Sequence, residues 1–252
     1  KLDNEKNVVE FKEKPKTDAE LDLMASWPGD ERPFMASMGI YVFNTDMLFE
    51  LLGSDGNDFG RDIIPQAMAT HHLKGFIYAG YWEDIGTIQR FYQVNLDMAS
   101  PDAPFDFYSA KTPIYTRARF LPASEINGAM LDDVLLTDGC RISKSEISKA
   151  VIGLRSIIKP NTKIEATIIM GADYYESEQM VQENLKKGRP DVGVGDGSNI
   201  SGAIIDKNAR IGRNVTINHD PDRPDGEGPN WVAKDGIIII PKNAIIPDDT
   251  EI

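Results

Sequence analysis

The stretch IIDKNARIGRNVTI, Ile204–Ile217, decides the fold. Ile205, Ile211 and Ile217 stand six residues apart, and the residues between them are small or polar: Asp206, Lys207, Asn208, Gly212, Arg213 and Asn214. The same beat returns at Ile240, Ile246 and Ile252. It also runs earlier, through Ile152, Ile158, Ile164 and Met170. A six-residue period fits neither a helix of about 3.6 residues per turn nor an alternating strand. It is the mark of hexapeptide β-helix repeats, in which each hexad gives a short parallel strand and a turn. Stacked coils then bury the recurring apolar residue in a shared interior. Gly153, Pro160, Gly171, Gly212, Pro241 and Pro247 follow the apolar positions and suit tight corners. Evenly spaced antiparallel strands are the alternative, and three separated runs in one register argue against them.

The chain has 252 residues, of which 41% are hydrophobic, so it can bury a sizeable core. Its single cysteine, Cys140, excludes an internal disulfide framework and suits a reducing compartment. Cys140 falls on the beat with Val134 and reads as a core filler rather than a nucleophile. The net charge of −13 argues against a nucleic-acid partner, because phosphate backbones need clustered Lys and Arg. A small anionic substrate stays open, since a few placed cations suffice for it. No apolar run approaches the roughly 20 residues that span a bilayer. Lys1–Glu13 is charged and lacks the apolar core of a secretory leader. A cytoplasmic location (or a plastid stroma, for a plant source) and no membrane partner are the expectations.

Before residue 100 the pattern differs. Lys1–Pro15 reads as a hairpin with an acidic turn at Asp3–Asn7 and a strand at Val8–Phe11. The chain starts without Met, and the expectation is a C-terminal piece of something longer. Helices are predicted over Asp18–Ser26, Asp46–Leu52 (capped by Asp46 or Thr45) and Ile88–Met98 (capped by Thr87), with Asp58–Ala69 a loop leading into a helix. Phe34–Phe43 and Gly75–Tyr81 are β-prone, and Trp82–Thr87 is a polar turn. Alternating strands and helices imply an α/β layer arrangement. Residues 100–118 read as a Pro-rich connector, which places a domain boundary near 107/108. The β-helix is interrupted twice. Tyr174–Gly188 reads as a loop or short helix, and Asn218–Lys234 as a polar, mobile loop.

Six segments, taken in order, resemble one family, the glucose-1-phosphate adenylyltransferases (ADP-glucose pyrophosphorylases). They are FKEKP (Phe11–Pro15), ASMGIYVF (Ala36–Phe43), DFGRDIIP (Asp58–Pro65), YWEDIGT (Tyr81–Thr87), IIDKNARIG (Ile204–Gly212) and DGIIIIPKNAII (Asp235–Ile246). The first four look like that family's sugar-phosphate half and the last two like its C-terminal β-helix. The resemblance implies the C-terminal part of a Rossmann-like α/β nucleotidyltransferase domain over 1–107, then a left-handed parallel β-helix over 108–252. The family's Gly-rich nucleotide loop, with its catalytic Arg and Lys, has no counterpart in residues 1–252. On that reading these residues alone do not turn over.

The implied reaction is attack of glucose 1-phosphate on the α-phosphorus of ATP. Both partners are anions, so alignment and charge neutralisation dominate. The resemblance gives Lys14 the sugar phosphate, with Pro15 holding it extended. Glu13 would accept from sugar hydroxyls, and Ser37 and Asp58 would line the sugar pocket. Asp84 would hold Mg²⁺ as half of a site. Lys207 and Lys242 match positions that bind an anionic metabolite effector, and a homotetramer is implied. Each has a plainer reading. Lys14, Lys207 and Lys242 suit solvated surfaces, Asp84 a helix N-terminal charge, Glu13 a solvated strand end and Ser37 a buried hydroxyl bonded to backbone. His71 and His72 show no metal spacing, and His219 sits in the Pro/Gly-rich loop. Two other functions compete with the nucleotidyltransferase: a hexapeptide-repeat acyltransferase using His219, and a non-catalytic regulatory subunit.

Overall fold

A computed structural model describes residues 1–252, which fall into two compact units, Lys1–Trp82 and Glu83–Ile252. The first unit holds three helices. Helix α1, Asp18–Met24, starts at a full capping box: Thr17 Oγ1 accepts from the Glu20 N–H, and the Glu20 carboxylate accepts from the Thr17 N–H. Helix α2 spans Thr45–Leu52. Asn44 occupies its cap position without a side-chain bond, so Thr45 and Asp46, the expected caps, lie inside the helix. A π-helical turn, Phe59–Ile63, is capped by Asp58 and runs into α3, Ile64–Thr70, with Pro65 in its first turn, where its missing N–H costs nothing. Leu51, Ile63 and Ala67 form the small core, with Phe43, Met47 and Leu73 against it.

The hairpin at the start reduces to one antiparallel bridge, Leu2 with Val8, and a second bridge joins Asn7 to Lys74. Val8–Phe11 forms no strand beyond that. Phe34–Phe43 and Gly75–Tyr81 form no ladder either, and Val42 and Phe76 are 98% and 90% exposed. The reason is general. β-Prone side chains make a strand only where a neighbouring backbone accepts its N–H and C=O groups. Within residues 1–82 only the Leu2–Val8 and Asn7–Lys74 bridges supply one, so no ladder forms over 34–43 or 75–81.

The second unit opens with α4, Ile88–Ala99, capped as expected by Thr87, whose hydroxyl accepts from the Arg90 N–H at 3.2 Å. The connector beyond it has no regular structure up to residue 124. The β-helix follows. Short strands at Glu125–Asn127, Arg141–Ser143, Ile157–Ile158, Gly193–Val194, Arg210–Ile211 and Ile245–Ile246 stack in parallel along one face. The long strands Met130–Leu136, Glu146–Ile152 and Lys163–Ile169 cover the other two faces. They bend where Asp133, Lys149 and Ala166 take φ of 52°, 49° and 45°.

Three interior rows result. Ile142, Ile158, Val194, Ile211 and Ile246 lie in register, as do Ile147, Ile164, Ile200 and Ile217, and Ile152, Ile169, Ile205 and Ile240. None of them is more than 5% exposed. The six-residue beat therefore holds, with one correction. Between the second and third rows the step is five residues, as in Ile164 to Ile169, and it is five again from Ile142 to Ile147. Met170 consequently points out, and Ile169 fills the interior. Positive-φ residues mark the six-residue corners as well, at Asn161, Asn208, Asn214 and Asn243. Cys140 is 1% exposed among the core residues, and burial pushes its thiol up.

Both interruptions are ordered. The first contains α5, Glu178–Lys187, ending at Gly188 in the left-handed conformation. It is tied down through Glu176, whose carboxylate accepts from Asn184 Nδ2 (2.7 Å), the Val192 N–H (2.8 Å) and Arg210 Nη2 (2.7 Å). Arg210 also donates to the Pro190 carbonyl at 2.8 Å, and Arg189 to Asn184. The second, expected as a mobile loop, is a hairpin. Gly226–Gly228 pairs antiparallel with Trp231–Lys234, which pairs with Ile237–Ile240. Asn230 supplies the positive φ at its turn, Trp231 packs on the interior, and Lys234 pairs with Asp225.

Helix α4 lies across the outside of the bent sheet. Tyr92 packs with Ile168, Ile204 and Ile237, flanked by Phe91, Leu96 and Met170. Its hydroxyl donates to the Ala166 carbonyl at 2.6 Å, beside the bend, and burial pushes its pKa up to about 12. No helix is long and apolar enough to cross a membrane.

Candidate functional site

In the first unit the four expected sugar-site residues are built on loops around the π-helical turn. Asp58 caps that turn, Oδ1 accepting from the Arg61 N–H at 2.7 Å. A Cβ placed on Gly60 would lie 3.5 Å from Asp58 Oδ1 and 3.9 Å from Glu13 Cδ, so the two carboxylates flank the glycine. Glu13 sits 3.6 Å from the Lys14 amine, and the Lys14 side chain is 87% exposed. Lys14 itself has φ 49°. This corrects the expectation that Pro15 holds it extended. Lys6, Lys144 and Lys149 take the same left-handed region, so the conformation alone does not single Lys14 out.

Ser37 is exposed rather than buried, which also sets aside its plainer reading. Its hydroxyl shares a 3.2 Å hydrogen bond with the Tyr41 hydroxyl and accepts from the Gly39 N–H. The Tyr41 ring stacks on Phe59 at 5.8 Å, next to Asp58. A continuous surface thus runs from Ser37 through Tyr41, Phe59 and Asp58 to Glu13 and Lys14. Tyr41 and Arg61 were not singled out from the sequence. Both lie inside quoted segments (ASMGIYVF and DFGRDIIP), which was the available signal. The Arg61 guanidinium is held above its ordinary value, chiefly by Asp62 beside it and further by Asp58 and Glu13.

In the second unit Asp84 is exposed, and its Oδ1 accepts from the Gly86 N–H at 2.9 Å, closing a tight Asx turn ahead of α4. Arg90 pairs with Glu83 at 3.1 Å, so the turn is pinned to the helix. No group of three or more His, Cys, Asp or Glu side chains converges anywhere in the structure. Asp84 offers one hard oxygen donor. That suits Mg²⁺ held mainly by water and substrate phosphates, not by a protein cage.

Lys207 and Lys242 do come together. They sit at the same corner of successive coils and share the carboxylate of Asp173, at 3.3 Å and 2.8 Å. Asp173 lay outside every sequence expectation. His71 lies 3.8 Å from Glu50, and His219 packs over Gly202.

The class of protein is given by two family matches, one for each part of the chain. Residues 119–251 match the family model of the GLGC left-handed parallel beta-helix domain, and residues 1–100 match the nucleotidyl transferase model. The first match covers more than half of the 252 residues, and the chain belongs to that family. With the second match ahead of it, the protein is ADP-glucose pyrophosphorylase-like, a nucleotidyltransferase of the GlgC type. The β-helix is accordingly left-handed.

Proposed function

We propose that this protein transfers the adenylyl group of ATP to α-D-glucose 1-phosphate, giving ADP-glucose and pyrophosphate, for glycogen- or starch-type storage. The observation that supports it most is Lys14: an exposed cation beside Glu13, on the surface that runs to Asp58 and Ser37. In the reaction a phosphate oxygen of the sugar phosphate bonds to the α-phosphorus of ATP. The α–β bridging P–O bond breaks, and pyrophosphate leaves with that oxygen. Lys14 neutralises and aims the attacking phosphate, a task for a point charge. Glu13 accepts from sugar hydroxyls, and Ser37 and Asp58 fix the sugar's orientation by hydrogen bonds. Asp84 would hold Mg²⁺, which offsets charge on the transferring phosphates. Lys207 and Lys242 would take an anionic metabolite effector. A homotetramer assembled through the β-helix and a cytoplasmic location belong to the same reading. Its open end supports the assembly, since the strands Glu125–Asn127 and Met130–Leu136 pair on one side only.

The test is Asp84→Asn in a protein that also carries the family's Gly-rich nucleotide loop. Loss of one preorganised group that stabilises transition-state charge costs on the order of 10²–10³ in kcat, and a drop of that scale is expected here. The Mg²⁺ concentration for half-maximal rate is expected to rise with it. An unchanged Mg²⁺ titration would remove Asp84 from the site.

A further inference from the structure

Ser37 carries more contacts than an exposed serine needs. Its hydroxyl accepts from the Gly39 N–H at 3.2 Å and lies 3.2 Å from the Tyr41 hydroxyl. Tyr41 is half-buried, and other aromatic rings hold its own in place. It stacks on Phe59 at 5.8 Å with 17° between the planes, and Phe43 meets it tilted at 6.2 Å. Phe43 and Phe59 meet each other at 5.9 Å. Phe43 packs on the small core of Leu51, Ile63 and Ala67, and Phe59 follows Asp58 at the start of the π-helical turn. Packing therefore aims the Tyr41 oxygen, and the aim is tied to the same turn that carries Asp58.

A serine hydroxyl has one proton and two lone pairs. The Gly39 N–H takes one lone pair of Ser37. Between the two hydroxyls the phenol is the better donor and the poorer acceptor, because its ring draws on the oxygen lone pairs. Tyr41 accordingly donates and Ser37 accepts. Both lone pairs of Ser37 are then in use, and its proton is the only bond left to offer a ligand. We propose that Tyr41 is a positioning residue of the sugar site, which turns the Ser37 hydroxyl into a donor-only contact aimed at an oxygen of the sugar phosphate. The inference rests on the reading of Ser37 as a sugar contact. The rest of the surface complements that role. Ionised, the Glu13 and Asp58 carboxylates can only accept, so they take sugar O–H groups while Ser37 gives its proton to a sugar oxygen. The Tyr41–Ser37 contact is long for two hydroxyls, and contacts of this kind tighten once substrate is bound.

Initial rates against glucose 1-phosphate and against ATP test this, in a protein that also carries the family's Gly-rich nucleotide loop. The variants are Tyr41→Phe, Ser37→Ala and the two combined. Phenylalanine keeps the stack on Phe59 and removes only the hydroxyl, so the fold is preserved, which the melting temperature checks. Tyr41→Phe should raise KM for glucose 1-phosphate about threefold to tenfold, the scale of one uncharged hydrogen bond. Its kcat and its KM for ATP should stay within about twofold, as expected for a contact made equally in the ground and transition states. Ser37→Ala should raise the same KM, and adding Tyr41→Phe to it should raise it no further, because Tyr41 acts through Ser37. An unchanged KM in Tyr41→Phe with Ser37→Ala defective, or losses that multiply in the combined variant, would overturn the positioning role and leave Ser37 in the sugar site. An unchanged KM for glucose 1-phosphate in Ser37→Ala would overturn both.

Discussion

An Arg210→Ala variant is expected to lose about 3–5 kcal/mol of unfolding free energy, the cost of stripping the partner from a buried charge. The Arg210 and Glu176 side chains are only 8% and 5% exposed and meet at 2.7 Å. Arginine is suited to the position because its planar fork reaches Glu176 and the Pro190 carbonyl at once. Without it the Glu176 carboxylate stays buried on Asn184 and the Val192 amide alone. Urea unfolding measures the loss. Arg213→Ala is the control: its pair with Asp248 is exposed and should change little. A loss in Arg210→Ala no larger than in that control would show that α5 is held by something else.

The same pair sets a pH dependence. Burial pushes the Glu176 carboxyl up, but hydrogen bonds from Asn184, the Val192 N–H and Arg210, with the Arg210 charge, bring it below its ordinary value of 4.5. A depressed carboxyl contributes stability that is fully present above the unfolded-state value. The contribution is lost as pH falls from about 4.5 through the folded-state value. The melting temperature should therefore drop on acidification through that range, and Glu176→Gln should flatten the part of the drop that this group causes.

In a protein that also carries the family's Gly-rich nucleotide loop, Lys14→Ala is expected to weaken glucose 1-phosphate use by about 10- to 100-fold in kcat/KM, the worth of one hydrogen bond to a charged group. ATP use should change far less. The asymmetry follows from the position of Lys14, next to Glu13 and within the surface that carries Asp58 and Ser37, the groups assigned to the sugar. Lys14→Arg should not restore the rate fully, because a guanidinium fork differs in shape from a compact ammonium. Equal losses for both substrates would mean that Lys14 supports the fold or the whole site instead of the sugar phosphate.

The β-helix was legible because one physical demand repeats: each coil must place an apolar residue in the same interior row. What could not be read was where five residues replace six. The bends fall on Asp133, Lys149, Ala166 and Gly202, four unlike residues of which only one is the glycine that usually marks a positive φ. Pro and Gly serve loops and hairpin turns alike, so composition alone does not reveal the 226–240 hairpin. In the first unit propensity named strands at 34–43 and 75–81, but pairing needs a neighbouring backbone as well as suitable side chains. The site residues were reached through the quoted segments, not through spacing. Asp173 escaped because its partners lie 34 or more residues away and are joined to it only by coil stacking.

The most direct measurement is an initial-rate comparison of ATP, UTP and dTTP with glucose 1-phosphate and Mg²⁺, using a protein that carries these residues and the family's Gly-rich loop. Strong preference for ATP with release of ADP-glucose is the predicted result. Strong preference for UTP or dTTP over ATP would contradict it.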